Sequence, residues 1–326
     1  MGLDMDYKFK VVSIHPVSKC DWNCKCCYVK DLPDKKPLEW FLQIPKKIKD
    51  LKLAEQCCMG GGECFLFQDF LKAFGRECKK NNIIFNVTTN GKAVAKMADD
   101  ELKEIVKDMT MVSVSFDRFK IRCKGDVIVF EQAISKLKKA GVLVGINLLV
   151  DKFMFGEGMP NGSEKNFSLP NDTQTVSKKA EALEIPPTLF NASGAQENIK
   201  VMKRAGFFKF VASLMKRYNP DRIFILYPKG FELGVDILKF RADYYALSAL
   251  FPKKIFVDDL TGKILMEQKY SGWILPCHYG KVLSIFEDGS IAGCSFEKGV
   301  KADLENLPEF EERRQCPFLK ICMPEK

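Results

Sequence analysis

A chain of 326 residues with 46% hydrophobic and 29% charged residues has the make-up of a soluble globular protein, large enough for one barrel and a small appendage. No apolar run approaches a membrane span and Met1-Gly2-Leu3-Asp4 opens no signal peptide, which argues against a membrane protein and sets the expectation of a cytoplasmic one. Thirteen cysteines in such a chain point to metal ligation over disulfides; the net charge of +9 favours an anionic partner, although the lysines are scattered along predicted helices, where a solvated face accounts for them.

In chain order, residues 8–15 read as a strand and 38–50 as an amphipathic helix with Trp40, Phe41, Ile44 and Ile48 on one side. A second strand, 53–59, ends in Gly60-Gly61-Gly62-Glu63; a helix over 67–80 precedes the strand 83–88 and the turn Thr89-Asn90-Gly91. A helix over 99–109, with acids at its start, leads to the strand 111–116, which ends at Asp117. A helix over 130–140, stopped by Gly141, leads to the strand 142–150. Five alternations at this spacing imply parallel strands and a βα barrel. Residues 151–169 break the pattern with Gly, Asn, Pro and Phe (Phe153, Phe155 and Phe167 among them), as lids and binding loops do. Helix returns over 173–218, interrupted near Pro186-Pro187; a sixth strand covers 222–227 and a last helix about 235–250. Residues 254–326 differ in character, with short strand pieces at 255–257 and 282–286, a turn at Asp288-Gly289 and four cysteines, and are expected to form a separate small domain.

The loop after the first strand carries the strongest signal. Cys20, Cys24 and Cys27 stand three and then two residues apart. Three thiolates on one short loop can hold three irons of a cubane 4Fe-4S cluster, leaving the fourth iron open to a small molecule. The plainer readings are a zinc site or buried cysteines; zinc usually takes four protein ligands in two close pairs, and the next cysteines, Cys57 and Cys58, fall in an apolar run that reads as a strand.

This spacing, placed after a first strand, resembles the cluster loop of the radical S-adenosylmethionine (radical SAM) superfamily. The resemblance implies that S-adenosylmethionine chelates the open iron, that an electron from the cluster cleaves its C5′–S bond, and that the 5′-deoxyadenosyl radical takes a hydrogen atom from the substrate. The family usually has an aromatic residue just before the third cysteine; Cys26 stands there, an alternative ligand, with Tyr28 one place beyond. Gly60, Gly61, Gly62 and Glu63 resemble the family's Gly-Gly-Glu element, in which glycines let the backbone approach the cofactor, and main chain and carboxylate receive its ammonium. Asn90 lies in a turn like the family's Thr-Asn-Gly element, and Ser115 and Asp117 stand where the cofactor's ribose would be met; Asp117 reads equally as a cap or turn residue. Asn147, in an apolar strand, needs a partner, either ribose or adenine or a neighbouring side chain.

At the other end, Cys277 and Cys294 flank a predicted hairpin around Gly289, with Cys316 and Cys322 following. This resembles the SPASM and twitch extensions of radical SAM enzymes and implies a second 4Fe-4S cluster on four thiolates, an electron relay; a four-cysteine zinc site is the alternative, and His278 a substitute ligand. Of the remaining cysteines, Cys57, Cys58 and Cys78 are expected to pack as small core residues and Cys123 to lie in a loop, while Cys64, directly after Glu63, is expected either to pack or to face the substrate.

The expectation is therefore an α/β fold: a partial (β/α)6 TIM-like barrel over 1–252 with a lid or insertion at about 151–195, and a small α+β iron-sulfur domain over 253–326. The resemblance implies a peptide or small-molecule substrate, to be oxidised, cross-linked or rearranged, and an electron donor such as flavodoxin or ferredoxin. Two other readings stand beside it: a tRNA-modifying enzyme of the same superfamily, supported by the net charge, and a non-catalytic zinc-binding interaction protein.

Overall fold

The computed structural model describes residues 7–24, 27, 29, 34–117, 124–150, 195–226, 237–257, 280–297 and 299–310. Its frame is a parallel sheet in which β1 (Val11–His15), β2 (Gln56–Met59), β3 (Ile84–Thr89), β4 (Met111–Phe116), β5 (Leu143–Leu149) and β6 (Arg222–Leu226) lie side by side in chain order. These are the six strands expected from the sequence. Consecutive parallel strands with helical returns and no reversal of winding direction follow the plan of a TIM-like barrel. The sheet carries one more strand at the outer side of β6, β7 (Ile255–Val257), and two at the outer side of β1, β8 (Val282–Phe286) and β9 (Ile291–Ala292). The strand pieces read as the start of a separate C-terminal region thus extend both edges of the main sheet, and β8 runs parallel to β1 from Val11↔Val282 to His15↔Phe286.

The two faces of the sheet differ because side chains alternate along each strand. One face (Val12, Ile14, Cys57, Met59, Phe85, Val87, Val112, Val114, Val144, Ile146, Ile223 and Ile225) is buried. The other carries Ser13, Cys58, Asn86, Thr88, Ser115, Asn147 and Phe224, all only half-buried. Pairing sets Ser13 beside Cys58 and Ser284, Thr88 beside Ser113, and Ser115 beside Asn147, so this face carries a band of small polar groups. Helices cover the apolar face: α1 (Leu38–Phe41), α2 (Ile44–Asp50), α3 (Gln68–Lys80), α4 (Lys92–Lys96), α5 (Asp99–Val106), α6 (Lys124–Lys139), α7 (Ala195–Tyr218) and α8 (Ile237–Leu250). Phenylalanines do much of the filling. Phe41, Phe70, Phe74 and Phe85 form one chain of ring contacts with centroids 5.0 to 6.5 Å apart, and Phe116 joins Phe130 and Phe210. Burying one such ring stabilises by about 2–3 kcal/mol.

The helix expected over 38–50 is two helices. Pro45 sits in the first turn of α2, where its missing N–H costs nothing, but its ring would collide with the carbonyl of residue 41 in a continuous helix. Strand β2 is shorter than expected because Leu53 and Ala54 are core residues of the preceding turn, where Leu53 O accepts from Phe9 N. The expected lid, but for Ala195, and the helix break at Pro186-Pro187 lie outside the described residues. Among the described residues no helix is long and apolar enough to cross a membrane.

Candidate active site

The carboxyl ends of β1–β5 gather the polar features, as in barrels generally. From His15 the chain passes through residues 16–19 into the cysteine loop, where Cys20 and Cys27 are exposed, Cys24 is half-buried and none is in a disulfide. Cys27 N donates to Cys24 O at 3.1 Å, a turn that draws the second and third cysteines together. Among the described residues no three His, Cys, Asp or Glu side chains are set to chelate a single ion. A cubane asks for one thiolate on each of three irons, and three cysteines on one exposed loop suit that demand by donor type and access.

The stem of the loop is held on two flanks. On one, Gly62 N donates to Val17 O at 2.7 Å and Glu63 N to Lys19 O at 2.9 Å. A Cβ at Gly62 would stand 2.2 Å from Lys19 O; at Gly61, where φ is +102°, it would stand 2.6 Å from Val17 O. The close approach that these glycines allow is therefore to the stem; Gly60 leads in, its N bound to Ile14 O. On the other flank, Glu287 beyond β8 accepts from Ser18 N at 2.9 Å and lies 3.6 Å from Lys35 Nζ, while its carbonyl accepts from Lys36 N. Sequence reasoning missed Glu287: nothing local in Phe286-Glu287-Asp288-Gly289 says that its carboxylate reaches back 269 residues.

Glu63, expected at the cofactor's ammonium, is fully buried, and its carboxylate accepts from Phe65 N (3.1 Å), Thr89 Oγ1 (2.8 Å) and Asn90 N (2.8 Å). Burial raises its pKa to about 7 despite those three donors. It joins the glycine turn to the Thr89-Asn90-Gly91 turn. There Gly91, at φ +85°, opens α4; a Cβ on it would meet Ala133 and Val114 at 3.1 Å. Asn90 Oδ1 accepts from Lys92 N at 2.8 Å, and its Nδ2 reaches Asp21 Oδ1 at 2.8 Å and Cys20 Sγ at 3.6 Å. Lys92 adds a bond to Asp21 O and stands over the Trp22 ring.

Farther along the rim, Ser115 is half-buried on the polar face and Asp117 is buried just past β4. Asn147 donates to Thr88 Oγ1 at 3.2 Å, so a neighbouring side chain is one partner of that amide. Cys57 and Cys78 pack as expected, their sulfurs 3.7 Å apart in the core, and Cys64 is buried against Gly60 O. Cys58 does not: adjacent residues of a strand face opposite ways, and it stands half-buried on the polar face, its thiol pushed up to about 11 by burial. That alternation was a legible signal in the sequence.

His15, at the end of β1, is buried, its ring stacked on Phe286 and its Nε2 within 3.0 Å of Ser13 Oγ and 3.1 Å of Ser295 Oγ. Burial lowers its pKa to about 4. Ser295 also lies 2.9 Å from Ser284 Oγ, so this polar cluster anchors the residue next to Cys294, itself half-buried, to the cysteine-loop strand. Cys277, Cys316, Cys322, His278, Cys26, Tyr28 and Cys123 lie outside the described residues.

Comparison with known proteins bears on this geometry. Residues 14–158 match the family model of the Radical SAM superfamily. The fold resembles Streptococcus suis SuiB bound to S-adenosylmethionine (13% identity, TM-score 0.56, covering 88% of this chain and 60% of that one) and SuiB bound to precursor peptide SuiA (14%, 0.55, 91% and 64%). It also resembles native anSMEcpe with bound AdoMet and Cp18Cys peptide (17%, 0.53, 91% and 78%). At these identities the likeness is one of fold, and the chain spans about three fifths of the length of the SuiB chains. No curated protein matches the chain.

Proposed function

We propose that this chain is a radical SAM enzyme acting on a peptide or small-molecule substrate. The observation that carries the reading is a three-cysteine loop at the carboxyl end of the first of six consecutive parallel strands, inside the segment that matches the family model. In this reading Cys20, Cys24 and Cys27 hold a 4Fe-4S cluster, which together with bound S-adenosylmethionine supplies the radical that removes a hydrogen atom from the substrate. The chain's own part is to fix and shelter. The main chain of Gly62 and Glu63 and the carboxylate of Glu287 hold the loop's stem from two sides, and the rim of Gly60, Asn90, Ser115, Asp117 and Asn147 would offer small polar groups to the cofactor's ribose and amino-acid moiety. In this reading the substrate would lie against the half-buried polar face of the sheet.

A peptide is the favoured substrate class, supported by the peptides bound in the SuiB and anSMEcpe structures. A nucleic acid is less favoured: among the described residues exposed lysines pair with local acids, as in Lys46–Asp50, Lys79–Asp108 and Lys107–Glu104. In the C-terminal region Cys277, Cys294, Cys316 and Cys322 would hold a second 4Fe-4S cluster as electron relay, with a flavodoxin or ferredoxin as external donor.

The test is iron and sulfide content with EPR after anaerobic reconstitution, with 5′-deoxyadenosine formation as the activity readout. About eight irons per chain, falling to about four in the Cys20/Cys24/Cys27→Ala variant, establishes both clusters. Four irons falling to none keeps the enzyme and removes the second cluster. Zinc without iron or sulfide sinks the proposal in favour of an interaction protein.

A further inference from the structure

The Asn90 side chain has a job that cofactor binding does not explain. Its Oδ1 is taken by a backbone donor, Lys92 N, which settles the orientation of the amide: the NH2 end must face the cysteine loop. There it lies 2.8 Å from Asp21 Oδ1 and 3.6 Å from Cys20 Sγ. Its main chain is fixed as firmly, with Asn90 N on the buried carboxylate of Glu63 and Gly91 N on Thr89 Oγ1. The donor is thus mounted on the rigid end of β3 and aimed at a sulfur on a loop from β1. A second N–H, from the backbone of Trp22, also reaches that sulfur.

We propose that Asn90 is a positioning residue for the first cysteine of the loop: its amide donates to the Cys20 sulfur while holding Asp21, and so sets both the register of the loop and the electron affinity of the iron that Cys20 binds. This rests on the radical SAM reading above. Hydrogen bonds to cluster sulfurs stabilise the reduced, more negative cluster, and outer partners orient the ligands. The carboxylate of Asp21 would otherwise act in the opposite sense beside the thiolate; with one amide hydrogen on each, Asn90 separates the two negative groups.

The test compares wild type with Asn90→Ala and Asn90→Asp after reconstitution, by iron content and an EPR-monitored redox titration. Asn90→Asp keeps the acceptor for Lys92 N and turns the donor into an acceptor. The expected result is a midpoint that falls in the order wild type, Asn90→Ala, Asn90→Asp, each tenfold loss in the reduced-to-oxidised ratio reading as about 59 mV. Unchanged midpoints with full iron loading overturn the proposal. Should Asn90→Asp fail to load iron, the exchanged pair D21N/N90D decides: recovery of iron supports the contact, and no recovery overturns it. A parallel measurement on the apo chain separates this inference from the enzyme reading. Amide hydrogen exchange over residues 20–24 should quicken in Asn90→Ala while that of β1 stays put; an unchanged rate over residues 20–24 overturns the contact whether or not the wild type binds iron.

Discussion

Two buried carboxylates flank the stem of the cysteine loop, and they are built differently. Glu63 comes from the turn after the next strand, takes three neutral donors and, among the described residues, no cation, and is raised to about 7 by burial. Glu287 comes from the far end of the chain, takes one backbone N–H of the stem, and has Lys35 beside it. The first organises two turns around itself; the second ties down one strap. A carboxylate with only neutral partners couples the site to pH, whereas one with a cation spends its charge locally.

The sharpest way to break the Glu63 flank is not to touch its charge. Gly62→Ala forces a Cβ against a backbone carbonyl that cannot move aside, and should destabilise the apo chain in urea unfolding by about 3 kcal/mol or more, with loss of iron loading. Next comes pH. The folded state binds the Glu63 proton more tightly than the unfolded chain, so this stabilisation is full below about 4.5 and is lost as pH rises through about 7, at most about 3 kcal/mol. His15 has the opposite sign: held at about 4, it favours the folded state above its ordinary value near 6.5 and loses that advantage as pH falls toward 4. The two trends offset one another between 4.5 and 6.5. Glu63→Gln should therefore remove the decline around pH 7 and uncover the acid loss due to His15; a variant with the wild-type profile would refute the Glu63 assignment. On the other flank, Glu287→Ala leaves Ser18 N without its acceptor and should cost about 1–2 kcal/mol, with Glu287→Gln close to wild type in urea. Lys46→Ala, removing a surface pair, should change stability by less than about 0.5 kcal/mol.

The parts of this arrangement that local pattern encodes were legible in the sequence. Six strands showed in alternating and continuous apolar runs, and the cysteine loop in its spacing, because both depend on neighbours within a few residues. The partners of Glu63 were not, since the sequence shows a carboxylate after glycines but not that Thr89 and Asn90 turn toward it. Nor was the parallel pairing of β8 with β1, which joins segments some 270 residues apart and leaves no mark on either. Two misses were avoidable: Pro45 announces the break between α1 and α2, and the strand period puts Cys57 and Cys58 on opposite faces.

The pairing of β8 with β1 also orders events in time. During synthesis β1, β2 and β3 can associate early, but the flank of the stem that depends on Glu287 stays open until residue 287 has been made. Iron delivered to the nascent chain would meet a loop anchored on one side only. The cysteines of the loop thus reach their finished setting only after β8 has been made, and a ribosome stalled before residue 287 would carry a sheet with its β1 edge bare.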